Sequence, residues 1–148
     1  MTPVQQQILD GIRSALVLAD TMAQHRVFLD RLDPLEAGDL PALLVEASPD
    51  GEVIEPASTK GLQQRVFPVT VTAVVAHATG YGVLSRELGG EVEACMGASS
   101  FAIPKPGRAQ IAASRPIRSG EGDQARAALM QTWQITYFTR RGAPDIAY

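Results

Sequence analysis

Few side chains in this 148-residue chain are equipped for covalent or metal chemistry: one cysteine, Cys95, and two histidines, His25 and His77. A nucleophile needs a base within hydrogen-bond reach. Cys95 and His77 belong to neighbouring elements, so a thiol–imidazole pair is conceivable. Cys95, however, falls on the apolar stripe of a helix, where a free cysteine usually serves as a small buried hydrophobe. No G-x-S-x-G elbow is present. Two histidines and one cysteine cannot build a zinc cage, and H-E-x-x-H is absent. Asp30, Asp33, Glu36 and Asp39 cluster without EF-hand spacing. Glu121 and Asp123 sit between glycines, and both acidic groups read as solvated loops. Glu91 and Glu93, two apart on a helix, point in different directions. Gly80-Tyr81-Gly82 precedes a helix, matches neither phosphate-binding fingerprint, and reads as a turn. The sequence therefore assigns no catalytic, cofactor or metal residue. An enzyme would have to draw on Arg115, His77 and Glu93, with a site between subunits.

Arginine offers a different kind of chemistry. Arg115 and Arg118 lie near the end of one expected strand, Arg140 and Arg141 at the end of the next. If those strands pair through their short connection, the two arginine pairs lie at opposite ends of the hairpin. That separation speaks against a single nucleic-acid patch. The formal net charge of −3 removes any bulk drive toward nucleic acid. Arginine is favoured at subunit interfaces, where it makes ion pairs, and isolated surface arginines are the alternative.

The elements that position these residues follow from periodicity. Thr2 is the expected N-cap, Pro3 the first helical position and Gln5 the capping-box partner of a first helix. Val4, Ile8, Ile12, Ala15, Leu16, Ala19 and Ala23 recur at steps of three and four along it. A short apolar run, Val27-Phe28-Leu29, precedes an Asp- and Pro-bearing loop from Asp30 to Asp39. Leu40 to Ala47 reads as a strand, with Pro41 at its start, where a missing N–H does least harm. The turn Ser48-Pro49-Asp50-Gly51 leads to Glu52–Glu55, which predicts a hairpin between the two pieces. Arg65 to His77 alternates with period two, Val69, Val71, Ala73 and Val75 on one side, Thr70 and Thr72 on the other. A second helix spans Val83 to Met96 with the stripe Leu84, Leu88, Val92 and Cys95. Gly89-Gly90 weakens its middle by roughly 1 kcal/mol per glycine. After a Pro- and Gly-bearing loop from Ala98 to Arg108, Ala109–Arg118 is a strand with Ile111, Ala113 and Ile117 on one face. Ser119 to Gln124 is an acidic loop. Ala127–Arg140 is the closing strand, with Leu129, Trp133, Ile135 and Tyr137 on one face. Strands joined without an intervening helix pair antiparallel. The expectation is a single α+β domain, one mostly antiparallel sheet with both helices packed on one face.

The opposite faces of the two long strands are odd. Thr132, Gln134 and Thr136, flanked by Met130 and Phe138, form neither a good core nor a charged surface. Low-charge, half-polar faces of this kind suit protein–protein contact; a solvated sheet face is the other reading. The N-terminus lacks the basic-then-apolar order of a signal peptide, and no run reaches the ~20 apolar residues of a bilayer span. A lone thiol fits folding in a reducing cytoplasm.

These features together resemble the tail terminator, or tail completion, proteins of long-tailed bacteriophages. The likeness is carried by the opening helix ending near Gln24, and by Val27-Phe28 through the loop to Leu40-Pro41-Ala42-Leu43-Leu44-Val45. It is carried further by the strand Val66–His77 leading into a helix, and by the closing strand with Trp133, Ile135 and Tyr137 before Arg141-Gly142. The resemblance implies a virion protein, folded in the host cytoplasm, whose copies form a ring, usually of six. The ring would cap the head-proximal end of the tail tube, stop its polymerisation and dock the head connector. DNA would pass through the lumen without specific contact. It implies no enzyme, no cofactor and no membrane. Arg115, Arg118, Thr132, Gln134, Arg140 and Arg141 are the expected subunit interface. Another neck, connector or tube protein of a phage or contractile injection machine is the near alternative; a small oligomeric enzyme is the distant one.

Overall fold

The computed structural model describes residues 1–58, 60–76, 80–99, 101, 103–104, 107–119 and 126–148, with the backbone alone for Tyr81, Arg118 and Ser119. Helix α1 is Val4–Leu18, followed by β1 Val27–Leu29, a short 3-10 turn Ala37–Asp39, β2 Ala42–Ala47 and β3 Val53–Pro56. Then come β4 Leu62–Ala76, helix α2 Tyr81–Ala98, β5 Arg108–Ser119, β6 Arg126–Arg140 and β7 Ala143–Ala147. His77, Glu121 and Asp123, and with them most of the acidic loop, lie outside the described residues.

The sheet is built on β4 and β6, which pair antiparallel along their whole length, from Leu62 opposite Arg140 to Ala76 opposite Arg126. Two strands lie end to end along each flank of this pair. On the β4 side, β3 covers Gln63–Val66 and β2 covers Val69–Val74. On the β6 side, β5 and β7 divide the edge in the same way. β1 joins β2 in the one parallel pairing among the described strands. The expected hairpin between β2 and β3 does not form. Gly51, at φ 80°, turns the chain so that β3 pairs with β4 instead. A long β4 offers enough free edge for both strands, which a β2–β3 pair would leave half unpaired. β7 was not anticipated; Gly142, at φ 78°, reverses the chain so that Pro144 and its neighbours run back along β6.

Both helices pack on one face. Val4, Ile8, Ile12 and Leu16 of α1 meet Leu88, Val92 and Met96 of α2 and the inward residues of the sheet, Val69, Val71, Trp133, Ile135 and Tyr137 among them, in one core. The period-two reading of β4 and β6 therefore holds. The boundaries of α1 differ. Pro3 stands at its N-cap with no side-chain bond, and Gln5 turns to Glu52 instead of capping. Its C-terminal end is at Leu18, because Asp20 adopts φ 51° and the chain leaves the helical path; Ala23 is buried from a turn rather than from the helix. In α2 the buried stripe is Leu88, Val92 and Met96. Leu84 is 40% exposed and Cys95 only half-buried, so the stripe is rotated from the expected one. Gly89 explains the rotation. A Cβ there would lie 2.5 Å from Leu129 Cδ2, and the Gly89 carbonyl accepts Gln131 Nε2–H at 2.8 Å. The helix approaches β6 so closely there that a Cβ would require the Leu129 side chain to move.

Among the described residues, the far face of the sheet is covered at one end. There Leu35 of the loop after β1 packs with Ala42 and Val74, and the Leu35 carbonyl accepts a hydrogen bond from the Arg126 guanidinium. A bulge at Ala112 in β5 puts Ile111 opposite Trp133 on the helix face but Ala113 opposite Thr132 and Ile117 opposite Ala128 on the far face. The expected common face for Ile111, Ala113 and Ile117 is therefore split, because one inserted residue inverts the alternation.

Candidate assembly surface

The open part of the far face gathers Thr132 and Met130 of β6, Thr70 of β4, Glu46 and Asp50 near the end of β2, and Arg115 of β5 around one groove. Its residues come from four neighbouring strands, so the sheet is hollow on the side away from the helices. Thr70 Oγ donates to the Glu46 carbonyl at 3.4 Å and is buried. Thr132, Met130, Thr136 and Phe138 are half-buried, and Gln134 is exposed. Acids stand on one wall and an arginine on the other. Among the described residues the ion pairs are Arg31–Asp39 and Arg65–Glu52, so neither Glu46 nor Asp50 is paired with Arg115. The titratable side chains of the groove, Glu46, Asp50 and Arg115, are exposed, and Ser48, Thr70 and Thr132 contribute its hydroxyls.

The six residues assigned to an interface fall in two places. Arg115 is opposite Met130 and Arg118 opposite Ala127, near the β5–β6 connection. Arg140 and Arg141 lie at the other end of β6, as the hairpin geometry requires. The Arg140 guanidinium sits 4.7 Å over the Tyr148 ring, and the Arg141 N–H donates to the Gly61 carbonyl at 2.8 Å. Thr132 and Gln134 lie between the two arginine groups on the open face.

Among the described residues, those weighed for chemistry are not brought together within one copy. Arg115 is on the far face, while Glu93 is exposed on α2, across the sheet. Burial pushes the Cys95 thiol up from its ordinary pKa, a direction that suppresses the reactive thiolate. Asp39 binds Arg31 at 3.2 Å and accepts the Glu36 N–H at 2.8 Å, and Arg31 in turn stacks 4.3 Å over Phe28. That acidic loop is organised by its own arginine. Among the described residues no three His, Cys, Asp or Glu side chains converge as metal ligands, and no helix is long and apolar enough to cross a membrane.

One polar cluster escaped the sequence reading. Glu52 accepts Arg65 Nη1–H at 2.9 Å, Gln5 Nε2–H at 2.8 Å and the Tyr137 hydroxyl, while Arg65 Nε–H reaches Thr139 Oγ1 at 2.8 Å. The Glu52 and Arg65 side chains are only 6% and 15% exposed. Burial, first, and the Glu52 hydrogen bond, second, raise the Tyr137 pKa. The cluster ties α1, the start of β3, β4 and β6 together, and every buried polar side-chain atom among the described residues has a partner. Its signal was the phase of Arg65, which alternates with the buried Phe67 and Val69 and so demanded a partner.

The class defined here is an α+β domain with a helix-covered sheet and one hollow, open face. No protein-family model and no curated protein matches the chain. Among solved structures it is similar to a chain of the virion of a native gene transfer agent particle, with TM-score 0.46 and 20% identity over 90% of this chain and 92% of that one.

Proposed function

We propose that the chain is a structural virion protein of the tail-terminator kind. Copies assemble in the host cytoplasm into a ring, six in number, that caps the head-proximal end of the tail tube, ends its polymerisation and presents a docking surface to the head connector. The observation that carries the reading is the open sheet face. It combines half-buried threonines, Met130 and Phe138 with flanking arginines, a surface matched to a protein neighbour rather than to water. The sequence resemblance supplies the identity of the neighbours. Arg115, Arg118, Thr132, Gln134, Arg140 and Arg141 are the subunit contacts in this reading. DNA passes through the lumen unheld, since a net charge of −3 gives the chain no overall attraction for phosphate.

The test is native mass by light scattering over a range of concentrations, followed by negative-stain imaging with tail tubes. Rings, or caps on tube ends, are expected. A monomer that ignores tubes would sink the proposal. Rings that leave tubes bare would assign the chain to another part of the neck or connector.

A further inference from the structure

Two separate places on this chain carry opposite charge. The groove on the far face, about 550 Å³ in volume, has Glu46 and Asp50 on one wall. Both are exposed, and among the described residues neither is in an ion pair. At one end of the sheet two turns stand side by side, joined by the Arg141 N–H that donates to the Gly61 carbonyl at 2.8 Å. Residues 57–61 hold Lys60 and residues 140–144 hold Arg140 and Arg141, and neither turn holds an acid. All three cations are exposed and, among the described residues, in no ion pair.

The Arg140–Gly142 turn is also pre-organised. The Arg140 guanidinium lies 4.7 Å over the Tyr148 ring, which holds a long side chain that would otherwise lose rotamer freedom on docking. Tyr148 and Ile146 beside it are 54% and 62% exposed. The groove offers the half-buried Met130 in its floor and the hydroxyls of Thr70 and Thr132. Arginine, tyrosine and methionine are enriched where proteins meet. One copy cannot close this contact on itself. Arg140 is eight residues from Thr132 along β6, roughly 26 Å at about 3.3 Å per residue, beyond the reach of an arginine side chain.

We infer that the ring closes head to tail, the Arg140–Arg141 turn of one copy seating in the far-face groove of the next with its guanidiniums on Glu46 and Asp50. The occupant of the groove is a second copy of this chain, and the inference rests on the ring reading above. Two different surfaces meet, so the contact is heterologous, the kind that builds a ring from a single joint. Arg115 on the opposite wall repels the incoming arginines and keeps the turn against the acidic wall, so a like charge excludes other seatings. Lys60, on the adjoining turn, adds a third positive charge to the approach. The joint is largely electrostatic, and assembly weakens as salt screens it.

Charge exchange tests this on the full chain. One variant carries Arg140→Glu and Arg141→Glu; the other carries Glu46→Arg and Asp50→Arg. Each alone is expected to associate at least ten-fold more weakly than the wild type by light scattering, with an unchanged melting temperature. The equimolar mixture is expected to regain wild-type mass, with native mass spectrometry showing equal numbers of the two chains, because each groove then meets a turn of opposite charge only on the other variant. If the wild type forms rings while both variants do so equally well, or the mixture stays dissociated, the proposed joint is wrong and the ring reading stands. A wild type that never assembles, alone or on tubes, overturns the ring reading and the joint with it.

Discussion

Glu52→Ala should destabilise the domain far more than its place in a turn suggests. The carboxylate accepts from Arg65, Gln5 and Tyr137, with 6% of its side chain exposed against 15% for Arg65. Removing one partner of a buried pair strands the other charge and costs ~3–5 kcal/mol. In a domain of this size each kcal/mol moves the melting temperature by about 2–4 °C, so a fall of about 10 °C is expected. Glu52→Gln keeps the volume and one acceptor and should lose roughly half as much, because hydrogen bonds to a charged group are worth about twice neutral ones. The double variant Glu52→Leu/Arg65→Met removes both charges and should be more stable than Glu52→Ala, which is the mark of a desolvated pair. Urea unfolding followed by far-UV circular dichroism measures all three without adding salt. A Glu52→Ala loss below about 1 kcal/mol would mean the pair behaves as an exposed one, and the reasoning from burial would fall.

Trp133→Ala should cost ~3–5 kcal/mol by opening a cavity, since Trp133 is buried and its Nε1–H holds Gln131 Oε1 at 3.0 Å; a loss under about 1 kcal/mol in urea melts would place it at the surface. Gly89→Ala and Gly90→Ala should move stability in opposite directions. Gly90 faces open space and gains about 1 kcal/mol of helix propensity, whereas a Cβ at Gly89 would meet Leu129 Cδ2 at 2.5 Å, and overpacking costs ~1–3 kcal/mol; equal shifts in melting temperature would contradict the close approach. Tyr137 keeps its proton in the fold beyond the pH at which the unfolded chain, near its ordinary 10.0, gives it up. Its contribution is therefore complete below about pH 10 and lost as pH rises further, and Tyr137→Phe should flatten that alkaline decline in urea midpoints. Charge reversal at Arg140 or Arg141, both exposed, should weaken subunit association without lowering the melting temperature; an unchanged oligomer by light scattering would remove them from the interface.

Much of the fold could be read from alternation. β4 and β6 carry period-two patterns over Val69–Val75 and Trp133–Tyr137, and their inner faces fall where that phase puts them. The misreadings share a cause, since each depended on a contact between distant segments. The α2 stripe turned because Gly89 lets the helix sink toward Leu129, which no count of apolar residues reveals. The β5 face split because Ala112 is extra only relative to β6. The Glu52 cluster draws on α1, β4 and β6 as well as the turn, so no spacing announces it, although the phase of Arg65 did mark a charge aimed at the core.

The candidate surface shows how far pairing choices reach. The arginine half was visible in the sequence, because a β5–β6 hairpin alone fixes where Arg115 and Arg140 lie. The acidic half was not. Folded as a hairpin on β2, the segment Glu52–Glu55 would set Glu46 and Glu55 on adjacent strands, close together and mutually repelling. Pairing β3 with β4 strings them out along β4 instead. The local turn residues permit either course. What selects between them is the length of β4, whose backbone groups beyond β2 would otherwise lack partners, together with the anchoring of Glu52 on Arg65. A buried ion pair inside the domain thus fixes the line of exposed acids outside it. Loss of the Glu52–Arg65 pair should accordingly loosen β3 and blur that line of acids before it unfolds the helices.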